Sequence, residues 1–288
     1  IIAKEYNKAR SLLTENNLYC EQRNLNTSKP FTLYLEARIL LETGNWSEAN
    51  SIVDNLIKYQ VHPEAVKIGA LTISAVLKLR KGHPEAENNL VTVKEMAFKT
   101  KEYPIIMPVV TAILEYEWLS GKTLLSTKEL ETCCNLIARV DCGTDNSELE
   151  FWFYKSRKTK LEIKDLYTPY KYIVENKITN AVIFWNELGC PYEKAITLLD
   201  GEEENKKTGL MELQKMGATA IFEKAKKIVR AAGIRRIPRG KRVSTISNPA
   251  HLTNREIEVL QLLQTGGQNK EIASSLFMPS MGGYGNVF

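Results

Sequence analysis

The chain has 288 residues, of which 43% are hydrophobic and 25% charged, with a formal net charge of +5. That balance belongs to a folded protein with one large or two modest domains, and it excludes a disordered or fibrous chain. No N-terminal run has the form of a signal peptide, and the most apolar stretch, "YPIIMPVVTAILEYEWL" (103–119), is too short and too charged to cross a bilayer. A cytoplasmic location without membrane contact is expected. Residue 1 is Ile, as expected of a chain that continues a longer protein.

Apolar residues recur at three- and four-residue spacing nearly throughout, with few alternating runs, which predicts an all-α chain. Four segments share a theme: "YNKARSLL" (6–13), "WSEANSIV" (46–53), "HPEAENNL" (83–90) and "PYEKAITLL" (191–199). Each has a bulky or turn-forming residue, two polar residues, an alanine and then apolar residues. Ala9, Ala49, Ala86 and Ala195 are separated by 40, 37 and 109 positions, and the last is near three repeats. An alanine at that point lets one helix approach its partner closely. Gly44, Gly82 and Gly189, placed just before, are suited to ending one helix and turning the chain into the next. The pattern resembles the tetratricopeptide repeat (TPR), in which a G-x-(aromatic)-x-x-A segment joins two antiparallel helices. Residues 100–180 match poorly, so a TPR-like superhelix is expected over 1–232 rather than a regular array. A generic helical bundle is the alternative. Such a stack carries no chemistry of its own and presents a surface to a partner or neighbouring domain.

"WLSGKTLL" (118–125) contains the Gly-Lys-Thr that ends a phosphate-binding P-loop. The first glycine of G-x-x-x-x-G-K-[ST] would fall on Tyr116, and the preceding residues read as helix, not strand. Gly121 lies 39 positions after Gly82, where the repeat expects a turn, so Lys122 and Thr123 are read as loop residues. Cys20, Cys133, Cys134, Cys142 and Cys190 form no C-x-x-C pair, and Cys133 and Cys134 are read as one core-facing and one flanking residue. With His62, His83 and His251 as the full histidine complement, no cluster has zinc-ligand spacing. "DGEEE" (200–204) lacks the alternating ligands of a calcium loop and is read as a solvated helix entry. No nucleophile motif occurs. No cofactor, metal or enzymatic activity is expected.

The charge is uneven. Residues 201–288 hold 14 basic and 8 acidic side chains, and the segment "KAKKIVRAAGIRRIPRGKR" (224–242) holds nine basic and no acidic ones. Such a block attracts polyanions by displacing counterions from phosphates, although a solvated basic helix face looks the same. Residues 233–250, with two prolines and two glycines, are read as a basic linker.

The last segment is "LTNREIEVLQLLQTGGQNKEIASSLFMPSMGGYGNVF" (252–288). Thr253 and Glu256 have capping-box spacing. Ile257, Leu260 and Leu263 line up as one helix face with Val259 at its flank, and Gly266 ends that helix. A second helix follows, with Asn269 as its expected cap and Ile272, Ala273 and Leu276 inward. Two short helices around a glycine turn fit the front of a helix-turn-helix unit. The residues resemble the LuxR-type helix-turn-helix pattern, L-T-x-R-E-x-E-V-L, a glycine, then N-K-E-I-A-x-x-L. Gly267 departs from it, standing where an aliphatic residue is usual.

"FWNELGCPYEKAITLLDG" (184–201), residues 213–242 and "SNPAHLTNRE" (247–256) further resemble the C-terminal region of the large ATP-dependent LuxR-family regulators. The resemblance implies an N-terminal ATPase module elsewhere in a parent protein, a TPR-like sensor region and a terminal DNA-binding domain over 251–288. It also implies a recognition helix after Met278. Instead "PSMGGYGNVF" follows, in which three glycines oppose a helix at about 1 kcal/mol each. The domain is therefore expected to stop short of the base-reading helix.

Two readings follow. In the first, the chain is a transcriptional-regulator fragment. Its helical body takes a signal or protein partner, and DNA is met weakly and non-specifically by Asn269, Lys270, Arg235, Arg236, Arg239 and Arg242. In the second, the chain is a helical interaction scaffold without specific DNA binding.

Overall fold

A computed structural model of the chain describes residues 4–23, 25, 28–58, 63–139, 143–159, 166–234, 254–264, 266 and 268–275. Among these residues the regular structure is helical, so the protein is all-α. The chain divides into two compact units, 1–238 and 239–288.

The first unit contains α1 (Tyr6–Gln22), α2 (Lys29–Glu42), α3 (Trp46–Lys58), α4 (Glu64–Lys81), α5 (Ala86–Thr100), α6 (Tyr103–Ser120) and α7 (Thr127–Ile137). It continues with α8 (Gly143–Arg157), α9 (Thr168–Val174), α10 (Ile178–Glu187), α11 (Pro191–Leu198), α12 (Glu203–Lys215) and α13 (Thr219–Ala231). From α2 to α7 consecutive helices pack as hairpins, and alternate helices also touch, α2 on α4, α4 on α6 and α6 on α8. The later helices pair in the same way, and α13 returns to pack on α4 and α6.

Each copy of the alanine theme opens a helix, at Tyr6, Trp46, Ala86 and Pro191. Ala49 and Ala195 are fully buried and Ala86 nearly so, while Ala9 is half-buried. The expected turn glycines adopt left-handed backbone, with φ of +83° at both Gly44 and Gly82 and +69° at Gly189. At Gly82 the N–H donates to the Leu79 carbonyl and the next N–H, of His83, reaches back to Lys78 at 2.9 Å. This closes α4 as a left-handed cap in which a side chain would be strained.

The helices α4 and α6 are buried on nearly every side, because each is packed by neighbours before and after it and by α13. A helix without a solvent face needs apolar residues all round, which accounts for the hydrophobic run at 103–119. Among the described residues no helix is long and apolar enough to cross a membrane. The body extends past α13, since Ile234 joins the core. The linker expected over 233–250 therefore begins within the packed body, and its remainder, 235–250, lies outside the described residues.

The second unit contains α14 (Asn254–Gln264) and α15 (Asn269–Ser275), which pack on each other. Gly266, at φ +82°, turns the chain between them, and its N–H donates to the Leu263 carbonyl at 3.0 Å.

Candidate functional site

The two-helix unit has the glycine turn expected of it, with two corrections. The cap of α15 is Gln268 rather than Asn269. The N–H groups of Glu271 and Ile272 both donate to the Gln268 carbonyl, and the Glu271 carboxylate accepts from the Gln268 N–H at 2.9 Å. This is the returning half of a capping box, and it places the cap one residue earlier than expected. The inward stripe on α14 also differs. Ile257 and Val259 are partly covered, but Leu260 and Leu263 are 50% and 48% exposed. Their described partner is short: α15 has seven residues, and among its described side chains Ile272 is buried, at 5% exposure.

Asn269 and Lys270 occupy the first two positions of α15, with their side chains outside the described residues. Arg235, Arg236, Arg239 and Arg242 also lie outside them, as do Thr253, Gly267 and Leu276 and the side chain of Ala273. The first four basic residues of the 224–242 block sit on α13, whose other face buries Ile221, Phe222, Ala225 and Val229. Of these, Lys226 pairs with Glu223 at 2.8 Å, whereas Lys227 and Arg230 are exposed. Burial, and then the charges of Lys227 and Lys158, pull the Lys224 amine below its usual value.

The loop that carries Gly-Lys-Thr is committed to a structural task. The buried Glu117 carboxylate accepts from the amides of Leu124 (2.7 Å) and Leu125 (2.9 Å) and from Arg157 (2.7 and 2.9 Å). Lys122 pairs with Glu87 at 2.6 Å. The amides of the turn itself are also used within the chain, Gly121 N–H donating to the Glu117 carbonyl at 2.9 Å and Lys122 N–H to the Ser120 hydroxyl at 3.1 Å, and helix α6 precedes the loop. Cys133 is buried and Cys134 exposed, as read from the sequence. Asp200, in the acidic turn, holds Lys155 at 2.8 Å.

The sequence pattern does not reveal an interior charge network. The helices α2, α4, α6, α8 and α11 line a partly open cavity of about 90 Å³. Arg80 on α4, at 6% exposure, donates from Nε and Nη2 to the two oxygens of Glu115 on α6, each at 3.0 Å. Tyr192 on α11 donates its hydroxyl to the same carboxylate at 2.5 Å, and its ring centroid lies 3.5 Å from the Arg80 guanidinium carbon. Across the cavity Arg38 on α2 pairs with Glu42 at 3.0 Å and with Asp145 on α8 at 3.3 Å. Lys4 reaches Glu42 at 3.1 Å and Glu148 at 3.4 Å. Burial opposes the Glu42 charge, but Lys4 and Arg38 outweigh it and hold that carboxyl down at about 2. Glu193, on α11, is different: its Oε2 is buried without a hydrogen-bond partner, and burial pushes its carboxyl up to about 7.

The signal for this network is Arg80 and Glu115 inside otherwise apolar runs, "LTISAVLKLR" and "TAILEYEWLS". Helical period alone does not tell a buried charge from a solvated one.

A family model for bacterial regulatory proteins of the luxR family matches residues 250–279, the segment that holds α14 and α15. No curated protein and no solved structure matches the chain. The matched segment supports a DNA-binding transcription regulator with a LuxR-type helix-turn-helix at this end.

Proposed function

We propose that the chain is the sensor and DNA-binding end of a bacterial-type transcriptional regulator without catalytic activity of its own. The TPR-like helical body receives a signal, a protein partner or an ATPase module of the same regulator. The α14–α15 segment meets promoter DNA in the cytoplasm. The observation that carries this reading is the luxR-family match over 250–279, coincident with two helices joined at Gly266. Asn269 and Lys270 open α15, and Arg235, Arg236, Arg239 and Arg242 precede the segment, so phosphate contacts would come from both sides of α14 in the sequence. Phosphate contacts set register and affinity but carry no base identity. Residues 279–288 offer no basic side chain and one amide, Asn286, so these ten residues add no phosphate contact and little means of reading bases.

The test is a salt titration of the chain on two unrelated duplexes, starting at about 50 mM salt. Expected is similar, salt-sensitive binding to both. Absence of binding to either duplex at the lowest salt would overturn the DNA-binding reading. Salt-insensitive discrimination between them would overturn the phosphate-only one.

A further inference from the structure

The geometry points to the partly open cavity between α2, α4, α6, α8 and α11 as a binding site for a small primary ammonium compound, held by the Glu193 carboxylate, with Glu148 also in its lining. This goes beyond the DNA-binding reading and uses none of its residues.

The balance of charges selects the ligand's sign. Five carboxylates line the cavity, at Glu42, Glu115, Asp145, Glu148 and Glu193, against two guanidinium groups, Arg38 and Arg80. Lys4 adds a third cation through its contacts with Glu42 and Glu148. Those cations are already engaged: Arg80 by Glu115, Arg38 by Glu42 and Asp145, Lys4 by Glu42 and Glu148. What remains is Glu193, with an unpartnered buried oxygen: burial disfavours its ionisation first, Lys4 and Arg80 oppose that, and the like charges of Glu148 and Glu42 add to it. A buried carboxylate oxygen without a partner is costly, and a cation with N–H donors is the group that satisfies it. An anion would meet the carboxylate excess, and a neutral ligand would leave it uncompensated.

The walls set the rest. Thr72 and Thr111 offer hydroxyl oxygens, while Tyr34, Ile73, Val76 and Met107 give an apolar side for a short alkyl stem. A cavity of about 90 Å³ is smaller than the roughly 150 Å³ that holds a benzene ring, so a few non-hydrogen atoms fit. Gly69 keeps this space as it is: a Cβ there would overlap the Tyr34 ring.

Ethylammonium is the probe, with ethanol and propionate as neutral and anionic counterparts, titrated into the full chain and followed by ligand-observed NMR. The expected result is saturable ethylammonium binding with Kd on the order of 1 mM, since a ligand this small gains little per complex. Ethanol and propionate should not saturate. Glu193→Gln, which removes a buried charge and should fold at least as well, should weaken ethylammonium binding at least tenfold. Thr111→Leu, which fills the cavity while leaving every carboxylate in place, should do the same. Glu193 faces Lys4, Arg80, Glu148 and Glu42, and with its carboxyl at about 7 the wild-type affinity should rise about tenfold from pH 6 to pH 8. In Glu193→Gln that rise should vanish. The proposal is overturned if folded wild-type chain shows no saturable ethylammonium binding, if ethanol binds as well, or if either variant binds ethylammonium as wild type does.

Discussion

Arg80 and Glu115, 35 residues apart in sequence, face each other across α4 and α6 with two parallel hydrogen bonds of 3.0 Å. Both side chains are almost wholly buried, and Tyr192 from α11 covers the guanidinium while donating to the carboxylate. One ion pair therefore ties the early helices to the segment that returns across them.

Breaking one side of that pair should be severe. Arg80→Met leaves Glu115 buried with the Tyr192 hydroxyl but no counter-charge and should cost about 3–5 kcal/mol. The double variant Arg80→Met/Glu115→Leu should recover much of the loss, because two apolar side chains need no counterion. Denaturant unfolding of the four species gives the cycle. A double variant as unstable as the single one would show that the pair is not the coupled unit described.

Glu193 should make stability fall with rising pH. Its carboxyl is raised from 4.5 to about 7, first by burial, with Lys4 and Arg80 opposing and Glu148 and Glu42 reinforcing. Between those values the folded chain holds a proton that the unfolded chain has released, so the folded state is favoured at the acid end and loses that advantage as pH rises through about 7. Glu193→Gln should therefore match wild type near pH 4 and exceed it at pH 8, by at most about 3 kcal/mol. Glu42 runs the other way: held at about 2, it stabilises above pH 4.5 and loses that contribution as pH falls toward 2. Subtracting wild type from the variant at each pH removes the Glu42 contribution.

Gly69→Ala should destabilise even though alanine is the better helix former. Helix preference favours the change by about 1 kcal/mol, but the added methyl would overlap the Tyr34 ring, and overpacking costs about 1–3 kcal/mol. In a Tyr34→Ala background the overlap is gone, and Gly69→Ala should become stabilising. Thermal unfolding of the four variants tests the change of sign.

The residues proposed to meet DNA should separate by salt slope. Removing one phosphate-binding side chain flattens the dependence of log K on log salt by about 0.9. Replacing Arg235, Arg236, Arg239 and Arg242 together with Ala should flatten it by about 0.9 for each of them that neutralises a phosphate, and Lys270→Ala by at most about 0.9, equally on every duplex. A change confined to one duplex would mean that these residues read bases.

Much of the helical framework is legible in the sequence, because it depends on local chemistry. Glycines at 44, 82 and 189 turn the chain since they tolerate left-handed backbone, and Ala49 and Ala195 vanish into helix contacts since a methyl group permits close approach. The LuxR-type pattern over 252–276 is likewise local, carried by residue identities at fixed spacing. Tertiary structure alone decided which charges are interior. Arg80 sits in the last turn of α4, where a solvated cation is usual, and only the arrival of α6 and α11 makes it a buried partner of Glu115 and Tyr192. The reverse holds on α14, where Leu260 and Leu263 have the spacing of a core stripe yet stay half exposed beside a seven-residue partner. Helical period records which side chains share a face, whereas burial depends on how much of that face another element covers.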